Sequence, residues 1–371
     1  MSSQQYRAAG PSIAGTAMIS RDWHLAGIAL LAVRVIQGFI YWGGGSRRFI
    51  YAPSKLDAWG GHGWMANKFQ TAMPGALFGT DHLISFLLQH FYLLYAGVVL
   101  FSAAELIAGA CLMAGLFTRI AALFSMAFSV LLMAMFGWQG ATCIDEWTMA
   151  ACNLAMGTTI LLAGAPSYSV DNLLLRRNPA LARRGWFRWL CGSLPLPLQD
   201  SGFRKFALAL LAFVLVYNVG TYAYYRGSIV TPFHGGPVSP TIHHVSLTDG
   251  RILPDGRISA HAYLDAGTPE APLHIVQAVV LSPDGKTILS TWTAQALSAL
   301  PKSAFVNDYA YNKFEPGPFG IRAPMGAKAT IAFAPPANSL ALPANAILKL
   351  TDVDGRSFAV RLHASPSAPQ G

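Results

Sequence analysis

The chain of 371 residues is short of charge and of cysteine. Asp, Glu, Lys and Arg make up 12% of it and hydrophobic residues 53%, a balance that argues against a large soluble globule and suits a membrane protein. There are four cysteines, Cys111, Cys143, Cys152 and Cys191, so the last 180 residues have none. No CxxC, CxxCH or iron–sulfur spacing occurs, so no covalent haem or cluster is read here. A P-loop, a dinucleotide fingerprint after a strand, HExxH and GxSxG are also missing, which removes the commonest nucleotide, zinc-protease and serine-hydrolase readings. The polar N-terminus lacks a short apolar core followed by a small-residue cleavage site, so the first apolar segment is expected to direct insertion itself.

The charge that is present is unevenly spread. Residues 1–227 hold 16 Lys/Arg and 8 Asp/Glu, whereas 228–371 hold 10 and 9. The basic surplus therefore sits in the apolar part, where it orients helices, and nothing resembles a basic face interleaved with base-stacking aromatics. Five apolar segments approach the ~20 residues that a membrane crossing needs: 24–43, 91–116, 118–138, 146–165 and 205–225. The stretch "DHLISFLLQH" (81–90) is apolar on one face and reads as an interfacial or re-entrant helix. Ten Lys/Arg (Arg7, Arg21, Arg119 and seven in the basic loop) face one side and five the other. This predicts a cytoplasmic N-terminus and an external segment after Tyr225 in a multi-pass protein of the cell (inner) membrane.

Beyond residue 228 the pattern changes to short alternating runs such as "ISAHAYL", "HIVQAVVL" and "SFAVRLH". Four Asp-Gly pairs, at 249–250, 255–256, 284–285 and 354–355, provide the positive φ that tight hairpins need. The expected architecture is an α-helical membrane bundle, with a four-helix core and a fifth transmembrane helix, followed by an all-β sandwich. Its divisions are 1–170 for the four-helix domain, 171–204 for a basic cytoplasmic loop, 205–227 for the fifth helix and 228–371 for the external sandwich.

Candidate chemistry gathers in three places. Arg34 and Glu105 fall near the middles of the first and second spans, where a charge usually pairs or lines a polar pocket. They form either a structural ion pair or, with His90, part of a quinone or proton site. The stretch "FIYWGGGSRRFIYAPSKLDAWGGHGW" is expected outside, so its cations run against the usual bias. Arg47, Arg48, Lys55 and Lys68, with His62 and glycines that admit a ligand to the backbone, are candidates for binding a small oxyanion; contact with phospholipid headgroups is the alternative. Cys143 is a weak candidate for carrying a sulfur adduct, since Asp145 and Glu146 beside it would raise its thiol pKa. Cys143 and Cys152 lie about 13.5 Å apart on a helix, too far for a disulfide. His234, His243, His244, His261, His274 and His363 lie in the β part and read as strand and surface residues, so no metal site is expected.

The segments "RVIQGFIYWGGGSRRFIYAPSKLDAWGGHGWMANKFQTAMPGALFG" and "LIAGACLMAGLFTRIAALFSM" resemble DoxD, the small membrane subunit of thiosulfate:quinone oxidoreductase, within the wider DoxX-like family. The β part, with "PTIHHVSLTDGRI" near its start, resembles its partner subunit DoxA. The resemblance implies oxidation of thiosulfate to tetrathionate with electrons passed to a membrane quinone as acceptor; no bound cofactor is readable from the sequence, so either thiosulfate reacts close to the quinone or a cofactor binds without a motif. The implied partners are thiosulfate, quinone and the lipid bilayer, with no nucleic acid; a homo-oligomer or association with a terminal oxidase stays open. The alternative functions are a non-enzymatic DoxX-like membrane anchor or assembly protein, and a sulfur-oxyanion carrier. No catalytic residue is carried over from the family.

Overall fold

The computed structural model describes residues 13–51, 53–58, 63–140, 145–227, 230–334 and 342–364. Helices occupy the first part of the chain and strands the last. α1 (Ile13–Ala29) and α2 (Leu31–Ser46) are followed by a π-helical turn, Arg47–Tyr51. Then come α3 (Met65–Ala72), α4 (Thr80–Gln89), α5 (Phe91–Ala114), α6 (Thr118–Phe136) and α7 (Asp145–Ala163). α8 (Val170–Arg177) and α9 (Gly185–Leu190) lead to α10 (Asp200–Tyr225).

Among the described residues, α5, α6 and α10 are long and apolar enough to cross a membrane, and the pair Arg21–Ala29 and Leu31–Tyr51, bent by 45°, makes a fourth if it is one span. The chain is therefore a membrane protein, with three or four such spans among the described residues. α7, expected as a further span, is less apolar than these: two acids begin it, and Thr148, Asn153, Thr158 and Thr159 interrupt it. α10 shows how these helices meet their solvent. Leu208, Leu211, Leu215 and Val216 on it are at least half exposed, a contiguous apolar surface that water would not tolerate and hydrocarbon does. α4 ends where His90 leaves helical geometry, which separates it from α5 as the sequence suggests.

The chain divides into two compact units. One comprises residues 1–53, 99–131 and 149–218; the other comprises 54–98, 132–148 and 219–371.

In the first unit α2 runs antiparallel to α5, and small residues bring the two backbones together. A methyl group on Gly38 would stand 2.7 Å from Met113, and one on Gly109 would stand 2.2 Å from the Trp42 nitrogen. α5 ends in a Schellman turn, with the Leu116 N–H on the Cys111 carbonyl (2.9 Å) and Gly115 at φ +65°. The segment after α7 is no simple loop. Its Asp171 is fully buried and accepts from the N–H groups of Phe117 (2.8 Å), Thr118 (3.1 Å) and Gly192 (2.7 Å) and from the Thr118 hydroxyl (2.8 Å). Arg119, counted in the sequence only as an orienting charge, is also fully buried. It donates to the carbonyls of Leu161 (3.1 Å), Arg188 (2.8 Å), Cys191 (2.6 Å) and Leu194 (2.6 Å), so it satisfies chain ends that would otherwise lack donors.

The second unit holds the β-domain: β1 (His244–Ile252), β2 (Ile258–Ala266), β3 (Leu273–Leu281), β4 (Ile288–Trp292), a short α11 (Ala294–Ser298), β5 (Phe305–Asn307), β6 (Glu315–Gly317), β7 (Gly320–Ala323), β8 (Lys328–Phe333), β9 (Ile347–Asp352), β10 (Ser357–Arg361) and β11 (His363–Ala364). One sheet has the order β11-β1-β2-β8-β5 and the other β10-β9-β3-β7-β6, with β4 also on β3. Pairing is antiparallel except between β1 and β11. Alternation in β8 and β9 buries Ala329, Ile331 and Phe333, and Leu348 and Leu350, in one core with Val245, Ile275 and Val280.

Three of the four Asp-Gly pairs turn hairpins, with Gly256, Gly285 and Gly355 at φ +80°, +74° and +83°. The fourth does not. Asp249 and Gly250 sit inside β1 at a break in register between Thr248 and Arg251, and Asp249 itself takes the positive φ (+49°). A Cβ on Gly250 would lie 2.4 Å from the Arg361 carbonyl oxygen, so this pair forms a bulge that lets β10 approach. In the same unit α3 docks on the sandwich: Gln70 donates to the carbonyls of Asn312 (2.8 Å) and Gly326 (2.9 Å) and accepts from the Asn312 N–H (2.9 Å).

Candidate functional site

The triple glycine before the arginines places a charge pair inside the first unit. A Cβ on Gly44 would lie 2.2 Å from a Glu105 carboxylate oxygen, and one on Gly45 would lie 2.6 Å from Leu106. Only a side-chain-free face of α2 admits Glu105 there. Its charge is met by Arg48 from the π-helical turn, in a direct hydrogen-bonded ion pair whose side chains are 15% and 13% exposed. π-Turns inside α-helical runs recur at functional sites because they re-aim side chains out of the normal register. The Arg48 Nε is buried and takes no acceptor in the protein.

The Arg34–Glu105 pair considered from sequence does not form. The antiparallel register puts Glu105 level with Gly44, ten positions from Arg34, or ~15 Å along a helix at ~1.5 Å per residue. Arg34 instead reaches the end of α5 and the segment after α7. It donates to the Tyr168 carbonyl (2.6 Å) and, at 3.5 Å, to that of Ser167. It is buried, and Gly115 leaves room for its guanidinium.

A polar seam that the sequence did not announce lies in the same unit. The Tyr41 hydroxyl contacts the Ser125 carbonyl (2.8 Å) and the Ser129 hydroxyl (2.9 Å). The Gln37 amide donates to the Ser125 hydroxyl (3.0 Å) and the Asn153 carbonyl (2.8 Å). Gln37 Oε1 and Asn153 Oδ1 are buried acceptors without a protein donor. The four-residue spacings of Gln37 and Tyr41 and of Ser125 and Ser129 were the available signal; single polar residues in apolar runs are easily discounted. The seam thus offers hydroxyls, an amide and two open acceptors between helices α2, α6 and α7, with a carboxylate–guanidinium pair further along α2.

The remaining candidates separate. Arg47 is exposed. Lys68, in the second unit, pairs with Glu146 at 3.0 Å and lies over the Phe136 ring, so its charge is also matched. Lys55 is half-buried and has an interaction of its own. His90 is exposed in the second unit, its Nδ1 2.7 Å from the Phe86 carbonyl and its ring against that of Phe86, and so does not share a unit with Arg34 and Glu105. His62 and Cys143 lie outside the described residues. Of the other cysteines, Cys152 is exposed, Cys111 half-buried and Cys191 buried; burial, followed by the nearby Asp171 charge, pushes the Cys191 thiol up to about 12.

The β-domain histidines are held locally. His244 contacts Asp265 (2.6 Å), His261 contacts Asp308 (3.1 Å), and His243 contacts the Ala271 carbonyl (3.2 Å). Burial, with Arg322 and His243 nearby, lowers the pKa of His274. Among the described residues no three His, Cys, Asp or Glu side chains gather as metal ligands would.

Residues 29–197, which contain the ion pair, the seam and the Asp171 hub, match the family described as TQO small subunit DoxD. Residues 225–361, which contain the sandwich, match the family described as TQO small subunit DoxA. Both are subunit families of thiosulfate:quinone oxidoreductase. The chain belongs to these two families, DoxD and then DoxA, joined on a single polypeptide.

Proposed function

We propose that this chain oxidises thiosulfate to tetrathionate and delivers the electrons to a membrane quinone. The observation that carries the reading is the succession of both small-subunit families along one polypeptide, one of them rich in apolar helices. Two thiosulfate dianions lose one electron each as a bond forms between their terminal sulfurs. The quinone takes up both electrons with two protons to become quinol. Thiosulfate carries no proton at neutral pH, so both must come from water through the protein.

The first unit has groups suited to that chemistry. The Glu105 carboxylate, paired with Arg48, can exchange protons, and the hydroxyls of Tyr41, Ser125 and Ser129 can relay them. Gln37 Oε1 and Asn153 Oδ1 suit the O–H groups of a quinol. We assign quinone to this seam and thiosulfate to the exposed Arg47, whose charge is not already committed as those of Arg48 and Lys68 are. In this reading the N-terminus is cytoplasmic and the sandwich lies outside, so thiosulfate meets the protein from that side.

The test is a quinone-reduction assay on the purified full chain with a short-chain ubiquinone. Quinol should appear only with thiosulfate present, with one tetrathionate formed per quinol. Thiosulfate uptake into vesicles without quinone would make the protein a carrier instead, and inactivity in both assays would favour an anchor or assembly role.

A further inference from the structure

We infer that the first unit carries a binding site for the phosphate of an anionic phospholipid, at a cavity between α1 and α8. The cavity is about 480 Å³, and its polar wall is formed by His24, Ser167, Asn172 and Arg176, with Ile28 and Leu173 as its apolar side. This is the size of a small-ligand pocket. His24 is fixed there: its Nδ1 stands 3.1 Å from the Ser167 hydroxyl, which in turn donates to the His24 carbonyl at 3.2 Å. Arg176 is exposed and Asn172 half-buried, so a guanidinium and an amide are available beside it.

Charge decides the sign of the ligand. None of the residues lining the cavity is an acid. The neighbouring carboxylate, Asp171, is turned into the protein, where four donors occupy it. The field is therefore set by Arg176, with Arg177, Arg183 and Arg184 exposed further along the same segment.

The apolar side decides between a free anion and a lipid. Ile28 and Leu173 are each 46% exposed and Tyr168 is 73% exposed, a surface that a hydrated phosphate ion would not cover. Tyr168 holds this position at φ +49°, in the left-handed region that costs a side chain of this size free energy, while Arg34 grips its carbonyl. Trp186 and Trp189, about half exposed, follow on the same segment, the residue type enriched where headgroups meet water. A hydrocarbon tail alone would leave the cation unused, and an inorganic anion would leave the apolar rim bare. A phospholipid answers both, its phosphodiester against Arg176 and Asn172 and its chains along Ile28 and Leu173.

The experiment uses the full chain, stripped of lipid in detergent and titrated with phosphatidylglycerol, phosphatidylcholine, inorganic phosphate or a short-chain ubiquinone. Native mass spectrometry counts bound lipid, and tryptophan fluorescence follows unfolding. Phosphatidylglycerol should bind at least about tenfold more tightly than phosphatidylcholine, and Arg176→Gln or Asn172→Ala should each remove about tenfold. Arg176→Lys, which keeps the charge, should retain most of the binding, and Arg257→Gln on the β-domain should change nothing. Equal binding of the two lipids overturns the inference. So does inorganic phosphate binding as tightly as phosphatidylglycerol, which marks a free-anion site, or ubiquinone displacing the lipid mole for mole. Parental binding by the Arg176→Gln and Asn172→Ala variants would place the lipid elsewhere. None of these results depends on thiosulfate turnover.

Discussion

Arg48 and Glu105 are joined across α2 and α5 in a nearly buried ion pair, and Arg34 has no part in it. Removing one partner of such a pair leaves the other uncompensated, at a cost of about 3–5 kcal/mol in a buried setting. Arg48→Met and Glu105→Met should each lower the thermal stability of the detergent-solubilised protein sharply. The double variant should lie well above the sum of the two losses. Arg34→Met with Glu105→Met should be additive, because these two do not touch. Additivity for Arg48 and Glu105 would show that the contact carries no coupling.

Arg47 separates the two arginines by function. It is exposed, so Arg47→Gln should leave the fold intact. If it binds thiosulfate, the loss of one charge-assisted hydrogen bond should raise the KM for thiosulfate about tenfold with the KM for quinone unchanged. Arg48→Gln should instead reduce stability and kcat together. Unaltered thiosulfate kinetics for Arg47→Gln would remove it from the substrate site.

The sequence foretold the elements better than the partners. Long apolar runs gave α5, α6 and α10 because a membrane crossing needs only length and apolarity. Three Asp-Gly pairs gave hairpins because positive φ is a local demand. The Glu105 partner was hidden because it depends on how α2 is shifted along α5, and that shift is set by Gly38, Gly45 and Gly109, whose role is to contribute nothing. Arg119 was read as a topology charge; its four carbonyl partners come from two stretches distant from it in sequence, Leu161 and residues 188–194. Asp249–Gly250 shows the limit of a local motif, since a bulge and a hairpin ask for the same backbone freedom.

Gln70 and Asn312 make a second buried link that mutation should expose. The Asn312 side-chain amide also donates to the carbonyls of Asn67 (3.1 Å) and Met325 (2.8 Å), so Asn312→Ala removes the buried amide that ties α3 to the sandwich. A loss of about 2–4 kcal/mol is expected. Gly326→Ala should be at least as severe, because the residue sits at φ +79° and its Cβ would stand 2.0 Å from the Gln70 carbonyl oxygen. Limited proteolysis should cut both variants faster than the parent, and equal rates would show that the link is dispensable.

Cys191 gives a pH dependence with a definite sign. Burial and then the Asp171 charge raise its thiol from 9.0 to about 12 in the folded protein. The native state therefore keeps a proton that the unfolded chain gives up at lower pH. The stability it contributes is complete below pH 9.0 and declines as pH rises toward about 12. Cys191→Ala should remove that part of the alkaline decline, so that parent and variant unfolding temperatures converge as pH is raised above 9.0. For the same reason maleimide at pH 8 should label exposed Cys152 in the folded protein and reach Cys191 only on unfolding. Asp171→Asn tests the cause: it removes the charge that opposes the thiolate while leaving the burial, so native labelling of Cys191 should begin at lower pH than in the parent. An unchanged pH dependence of labelling would mean that burial alone protects the thiol.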